Sequence, residues 1–98
     1  MYVDDMRVNA RVLGRAARWS HLLADTHEEL EEFARRLGLR PAWIQRPGTV
    51  FEHYDVTDEK RRLAIRLGAH AIRLRDSAEI VDAKRDGRPP ALPEETLL

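Results

Sequence analysis

Between Thr26 and Gly38 the apolar residues fall at Leu30, Phe33, Ala34 and Leu37, the three-and-four spacing of one helical face, with charged residues between them. Thr26 followed three residues later by Glu29 is a capping-box pattern, and Gly38 sits where a left-handed C-cap is wanted. The spacing predicts a helix over 27–37. "TDEKRRLAIRLGAH" repeats the design: Thr57 and Asp58 start it, Leu63, Ala64 and Leu67 form the stripe, and Gly68 ends it, predicting a helix over 58–67. A third, shorter helix is predicted in "SAEIVDAKRDG", with Ile80 and Val81 inward and Gly87 as stop. The short apolar runs "MYVDDM", "WSHLLAD", "PAWIQ", "VFEHYDV" and "AHAIRL" flank these helices as strands, and "RPGTV" forms a turn.

Strand, helix, glycine, strand is the grammar of βαβ units, in which a crossover returns the chain parallel to its start. The two units align at an offset of thirty, Asp25 with Asp55, Phe33 with Leu63, Ala34 with Ala64 and Gly38 with Gly68. The expected fold is a small single α/β domain over 1–87. Its sheet is mainly parallel, with four or five strands from two βαβ-like units, two principal helices and a short C-terminal helix. "RPPALPEETLL" has three prolines and no periodicity, so 88–98 is expected to be an extended or disordered tail whose last two leucines are free to dock on a partner. Ninety-eight residues support one modest core.

Lysine plus arginine equals aspartate plus glutamate at 17 each, so any affinity for anions must be local. The absence of cysteine excludes a disulfide framework, a thiolate zinc site and a cysteine nucleophile. No apolar run reaches membrane-spanning length, and "MYVDDMRVNA" lacks the basic start and apolar stretch of a signal peptide, so a cytoplasmic protein without membrane contact is expected.

Candidate chemistry gathers at strand ends. In an open α/β sheet, ligands bind beyond the carboxyl ends of parallel strands. Two parallel units would bring Asp25 and Asp55 to one such edge, with His21 and His53 on the same sheet faces at period two. Asp4 and Asp5 are adjacent and face opposite ways in a strand, so one of them joins; Asp5 is the one assigned. His21, Asp25, His53 and Asp55 are the candidate metal ligands, and with Asp5 the candidate acid/base groups. Imidazole with carboxylate suits Mn²⁺, Zn²⁺ or Fe²⁺, whereas an all-oxygen set would point to Mg²⁺ or Ca²⁺. Each residue also has a plainer role: an aspartate before a helix caps it, and a strand histidine is satisfied inside the fold.

"RVNARVLGRAAR" places Arg7, Arg11, Arg15 and Arg18 four, four and three apart with no acid between, which would align them on a helical face as a basic patch for phosphate or nucleic acid. Its plainer reading is a solvated face or a flexible loop between the first two strands. Arg7, Arg18, Tyr54, Trp43 and Gln45 are the candidate substrate-binding residues.

"YVDDMR", "RWSHLLADTHEELEEFARRLGL", an aromatic followed by Ile44 and Gln45, "HYDVT" and "KRRLAIRLGA" occur in order over residues 2–72. Together they resemble the small bacterial and bacteriophage proteins catalogued as domain of unknown function 4031. The resemblance covers Asp4, Asp5, Trp19, His21, Asp25, Trp43, Gln45, His53, Tyr54 and Asp55. It departs at "RVNARVLG" and at "RPGTV", which looks like an insertion, and it lends no function. The functional expectation therefore rests on the residues: a metal-assisted site for phosphate chemistry on a nucleotide or nucleic acid at the carboxyl edge of the sheet. The alternative is a non-catalytic module that engages a protein or nucleic acid, and a third reading is an obligate homodimer formed at an open sheet edge.

Overall fold

A computed structural model describes residues 1–93. The helices form where their sequence signals lie: α1 is His27–Leu37, α2 Asp58–Arg66 and α3 Ser77–Asp86. Thr26 Oγ1 accepts the Glu29 N–H at 3.1 Å and Thr57 Oγ1 the Lys60 N–H at 3.3 Å, so each threonine takes an otherwise orphaned donor of the first turn. Gly38 closes α1 at φ 79°, a left-handed conformation that a side chain would strain.

The strands are β1 (Tyr2–Val3), β2 (Val8–Val12), β3 (Arg15–Leu23), β4 (Tyr54–Thr57) and β5 (His70–Ala71). The sheet is mixed, which corrects the mainly parallel arrangement expected. β3 is antiparallel to β1, β2 and β4, and β1 is parallel to β5. Trp19 pairs with both Val8 and Thr57, and Leu22 with both Val3 and Tyr54, so β1 and β2 lie end to end along one side of β3 and β4 along the other.

The first expected crossover fails at "PAWIQ". Pro41 opens a 3₁₀ turn, Pro41–Trp43, instead of a strand; having no N–H, it suits a turn better than a ladder. Gln45 then pairs with His53 around the 46–52 loop, and β4 returns against β3. The second unit keeps its direction, since β4 and β5 run the same way, but β3 and β1 stand between them.

The arginine-rich segment is neither a helix nor a loop. β2 and β3 form a hairpin closed by the Val12–Arg15 pair, with Leu13 at φ 51° and Gly14 at φ 82°. Two successive positive φ values match the twist of a two-residue hairpin turn. The period-two run Val8, Ala10, Val12 prevailed over the helical spacing of the arginines.

Between the Val3–Leu22 and Val8–Trp19 pairs, residues 4–7 oppose only Ser20 and His21. The chain must bulge there, which leaves backbone donors out of the ladder and re-aims the side chains. Arg7, at φ 46°, gives its N–H to Ser20 Oγ at 3.1 Å.

One face of the sheet buries Val3, Leu22, Tyr54 and Val56 against Leu30, Phe33, Ala34 and Leu37 of α1 and Ala64 of α2. The other packs Tyr2 and Leu23 on Ile72 and on Ile80 of α3. The described part of the expected tail follows α3: Arg88 Nη1 reaches Glu79 at 2.6 Å, the Ala91 N–H donates to the same carboxylate at 2.7 Å, and Leu92 packs on the α3 cluster. Leu97 and Leu98 lie outside the described residues.

Arg88, then the Ala91 N–H, hold the Glu79 carboxyl down from 4.5 to about 2. A carboxyl depressed in the folded state contributes stability that is complete above its ordinary value and is lost as pH falls through the depressed one. The Ala91 amide resonance is therefore expected to titrate with a midpoint near 2. A midpoint near 4.5 would show that the arm does not dock.

Candidate metal centre

Alternation along β3 and β4 decides which side chains meet. His21 is directly opposite Asp55 in the ladder, and His53, two residues before Asp55, emerges on the same face. One ligand-type atom from each of His21, His53 and Asp55 lies within 4.8 Å of the other two. The imidazoles meet edge to face with centroids 4.9 Å apart. These side chains are partly exposed, 26% for His21 and 19% each for His53 and Asp55, so a small ligand can reach the cluster.

Both imidazoles are oriented from behind. Asp4, 0% exposed, projects from the bulge; its Oδ1 accepts the N–H groups of His21 at 3.0 Å and Met6 at 3.2 Å. Its Oδ2 lies 2.6 Å from His21 Nδ1. A carboxylate accepts, so Nδ1 carries the proton and the lone pair of neutral His21 is on Nε2. Asp4 thereby serves both the unpaired backbone of the bulge and the histidine. Its hydrogen bond raises the His21 pKa above 6.5; burial opposes this, and the charges of Asp4 and Asp55 add to it.

His53 is set by the 46–52 loop, where its Nδ1 lies 2.8 Å from the Phe51 carbonyl. A carbonyl can only accept, so the lone pair of neutral His53 is also on Nε2. That atom lies 3.5 Å from Asp55 Oδ1. At that separation a nitrogen lone pair and a carboxylate oxygen can hold one cation between them. Ligating histidines characteristically donate their second ring nitrogen to a carboxylate or backbone carbonyl, the arrangement seen for both residues here.

The remaining candidates lie elsewhere. Asp25 sits beyond the end of β3 and accepts the Tyr2 hydroxyl at 3.0 and 3.1 Å; with β4 antiparallel, it and Asp55 do not share an edge. Burial, then that hydrogen bond, push the Tyr2 phenol up to about 12. Asp5 accepts the Leu74 N–H at 2.8 Å, tying the bulge to the segment after β5. Tyr54 points to the opposite face, where its hydroxyl meets Glu31 of α1 at 3.2 Å; burial and Glu31 push it up to about 12. Arg7 is committed to Asp58 through two hydrogen bonds, 2.9 and 3.1 Å, and Arg18 alternates onto the face away from His21. Trp43, Gln45 and Asp55 do come together, lining a cavity of about 340 Å³.

Asp4 is the residue the sequence argument passed over in favour of Asp5. The sequence carried only half the signal: in a strand Asp4 shares a face with Tyr2, but the Tyr2–Leu23 register that brings that face to His21 is set by the tertiary structure. Glu52, 4% exposed, was also missed; it accepts the Gly48 N–H at 3.0 Å and meets His27 at 3.1 Å, bracing the loop that carries His53.

Among the described residues no helix is long and apolar enough to cross a membrane. Residues 1–84 match the family model described as protein of unknown function (DUF4031), and the chain belongs to that family. Comparison with curated proteins found no match, and comparison with solved structures found none.

Proposed function

We propose that this DUF4031 protein holds a divalent cation through His21, His53 and Asp55 and uses it in hydrolytic chemistry on a phosphate ester. The observation that carries the reading is that both imidazoles have Nδ1 already committed, which leaves Nε2 of each to face a cation beside the Asp55 carboxylate. Two imidazoles and one carboxylate suit Zn²⁺, Mn²⁺ or Fe²⁺ better than Mg²⁺. Three protein ligands are the number typical of catalytic zinc sites, which keep a position for water or substrate; structural sites generally use four. A cation there supplies the charge that polarises a phosphoryl oxygen and acidifies water. The chain's own part is to commit both Nδ1 atoms so that each Nε2 faces the cation, to hold Asp55 between the histidines and the cavity, and to exclude water on the side packed by the sheet.

Titration calorimetry of the chelator-treated protein with zinc chloride tests this. One zinc per chain is expected, with the binding heat lost in His53→Ala and the far-ultraviolet spectrum unchanged. Equal binding by parent and variant would remove the site. A non-catalytic binding module is favoured by one observation: β2 has no partner on its outer edge among the described residues, with Val8 45% and Leu13 67% exposed beside it. That reading predicts no specific zinc binding and a salt-sensitive partner complex.

A further inference from the structure

The cavity that shares Asp55 with the metal cluster is lined by Trp19, Trp43, Leu13, Arg15 and Gln45 as well. The chain has two tryptophans, and both are here. Trp19 is fixed, 8% exposed with its Nε1 donating to Ala10 O at 3.0 Å. Trp43 is 38% exposed and carries the Arg40 guanidinium 5.7 Å from its ring centre, a contact that occupies one face of the indole. Gln45 spends its backbone on His53, while its side-chain amide makes no hydrogen bond among the described residues. Arg15 likewise has no ion pair among the described residues.

One fixed and one exposed aromatic wall, with one uncommitted amide and one uncommitted cation among the described residues, suit a flat heteroaromatic ring with a hydrogen-bonding edge better than an alkyl chain, which needs neither the planes nor the amide. A volume of about 340 Å³ is near the small end of ligand pockets, enough for a single nucleotide. Resting on the metal reading above, we infer that the substrate is a nucleotide. Its base lies in the cavity between the two tryptophans with its edge on Gln45, and its phosphate lies at the cation beyond Asp55. An amide pairs in bidentate fashion with the adenine edge, which makes adenosine monophosphate the first compound to try.

The two indole N–H resonances of the full chain report on this cavity directly. Adenosine monophosphate is expected to shift both saturably, more tightly with zinc than without, whereas adenosine gains nothing from zinc. Trp43→Ala is expected to weaken nucleotide binding about ten-fold while zinc affinity is unchanged; Gln45→Ala, which removes no ring, is expected to weaken it less, with Trp19 still reporting. Equal shifts with hexyl phosphate would make the cavity a general apolar slot and overturn the inference. So would unmoved indoles in a zinc-loaded protein, which would leave the metal reading standing. Nucleotide binding that ignores zinc would do the reverse, retaining the base pocket and removing the cation from the phosphate.

Discussion

Asp4→Ala is expected to lower the free energy of unfolding by about 2–6 kcal/mol, the range for two buried backbone donors left without an acceptor. The carboxylate is fully buried and accepts from two backbone N–H groups and one imidazole. Without it the His21 and Met6 donors lose their acceptor inside the bulge, at about 1–3 kcal/mol for each group left unpaired. Alanine also leaves a small void under β3. The loss should appear as a lower urea midpoint with an unchanged slope, since the surface exposed on unfolding is the same. A loss below about 1 kcal/mol would mean that water replaces the carboxylate.

Zinc at a hundred times its dissociation constant should stabilise the parent by about 2.7 kcal/mol. For a domain of this size that is a rise of roughly 10–20 °C in Tm. Asp4→Asn tests whether the rise passes through His21. Asparagine still offers an oxygen to the two backbone donors, but its amide nitrogen can only donate. Facing His21 Nδ1, it drives the imidazole proton onto Nε2 and removes the lone pair the metal needs. Zinc affinity is expected to fall about 10–100-fold, as for other partners behind a ligating histidine, so at the same zinc concentration the rise shrinks to about half or less. Asp25→Ala, at the position the sequence had assigned as a ligand, is expected to leave the zinc response intact, because Asp25 is engaged with Tyr2. Identical responses in the parent and Asp4→Asn would place zinc at another site.

His21, His53 and Asp55 could be picked from the sequence as chemistry-bearing residues, yet the reason given for their meeting was a parallel edge that does not exist. They meet because antiparallel pairing sets Asp55 across from His21 and alternation returns His53 to that face. The same change of direction separates Asp25 from Asp55 and takes Tyr54 to the core. Trp43 and Gln45 reach the site because the chain turns at Pro41 and folds back along β4.

What the sequence by itself determined is the local structure: α1, α2 and α3, the threonine caps of the first two, and the apolar stripes that seat those two on the sheet. A helix closes its hydrogen bonds within four residues, so its start, its stop and its buried face are all written along one stretch of chain. The tertiary structure alone decided strand direction, register and the bulge at residues 4–7. Alternating apolar positions pair equally well in either direction, and a one-residue slip turns every side chain to the opposite face. The choice of Asp4 over Asp5 behind His21, and with it the site, rests on bonds between residues seventeen apart in the chain.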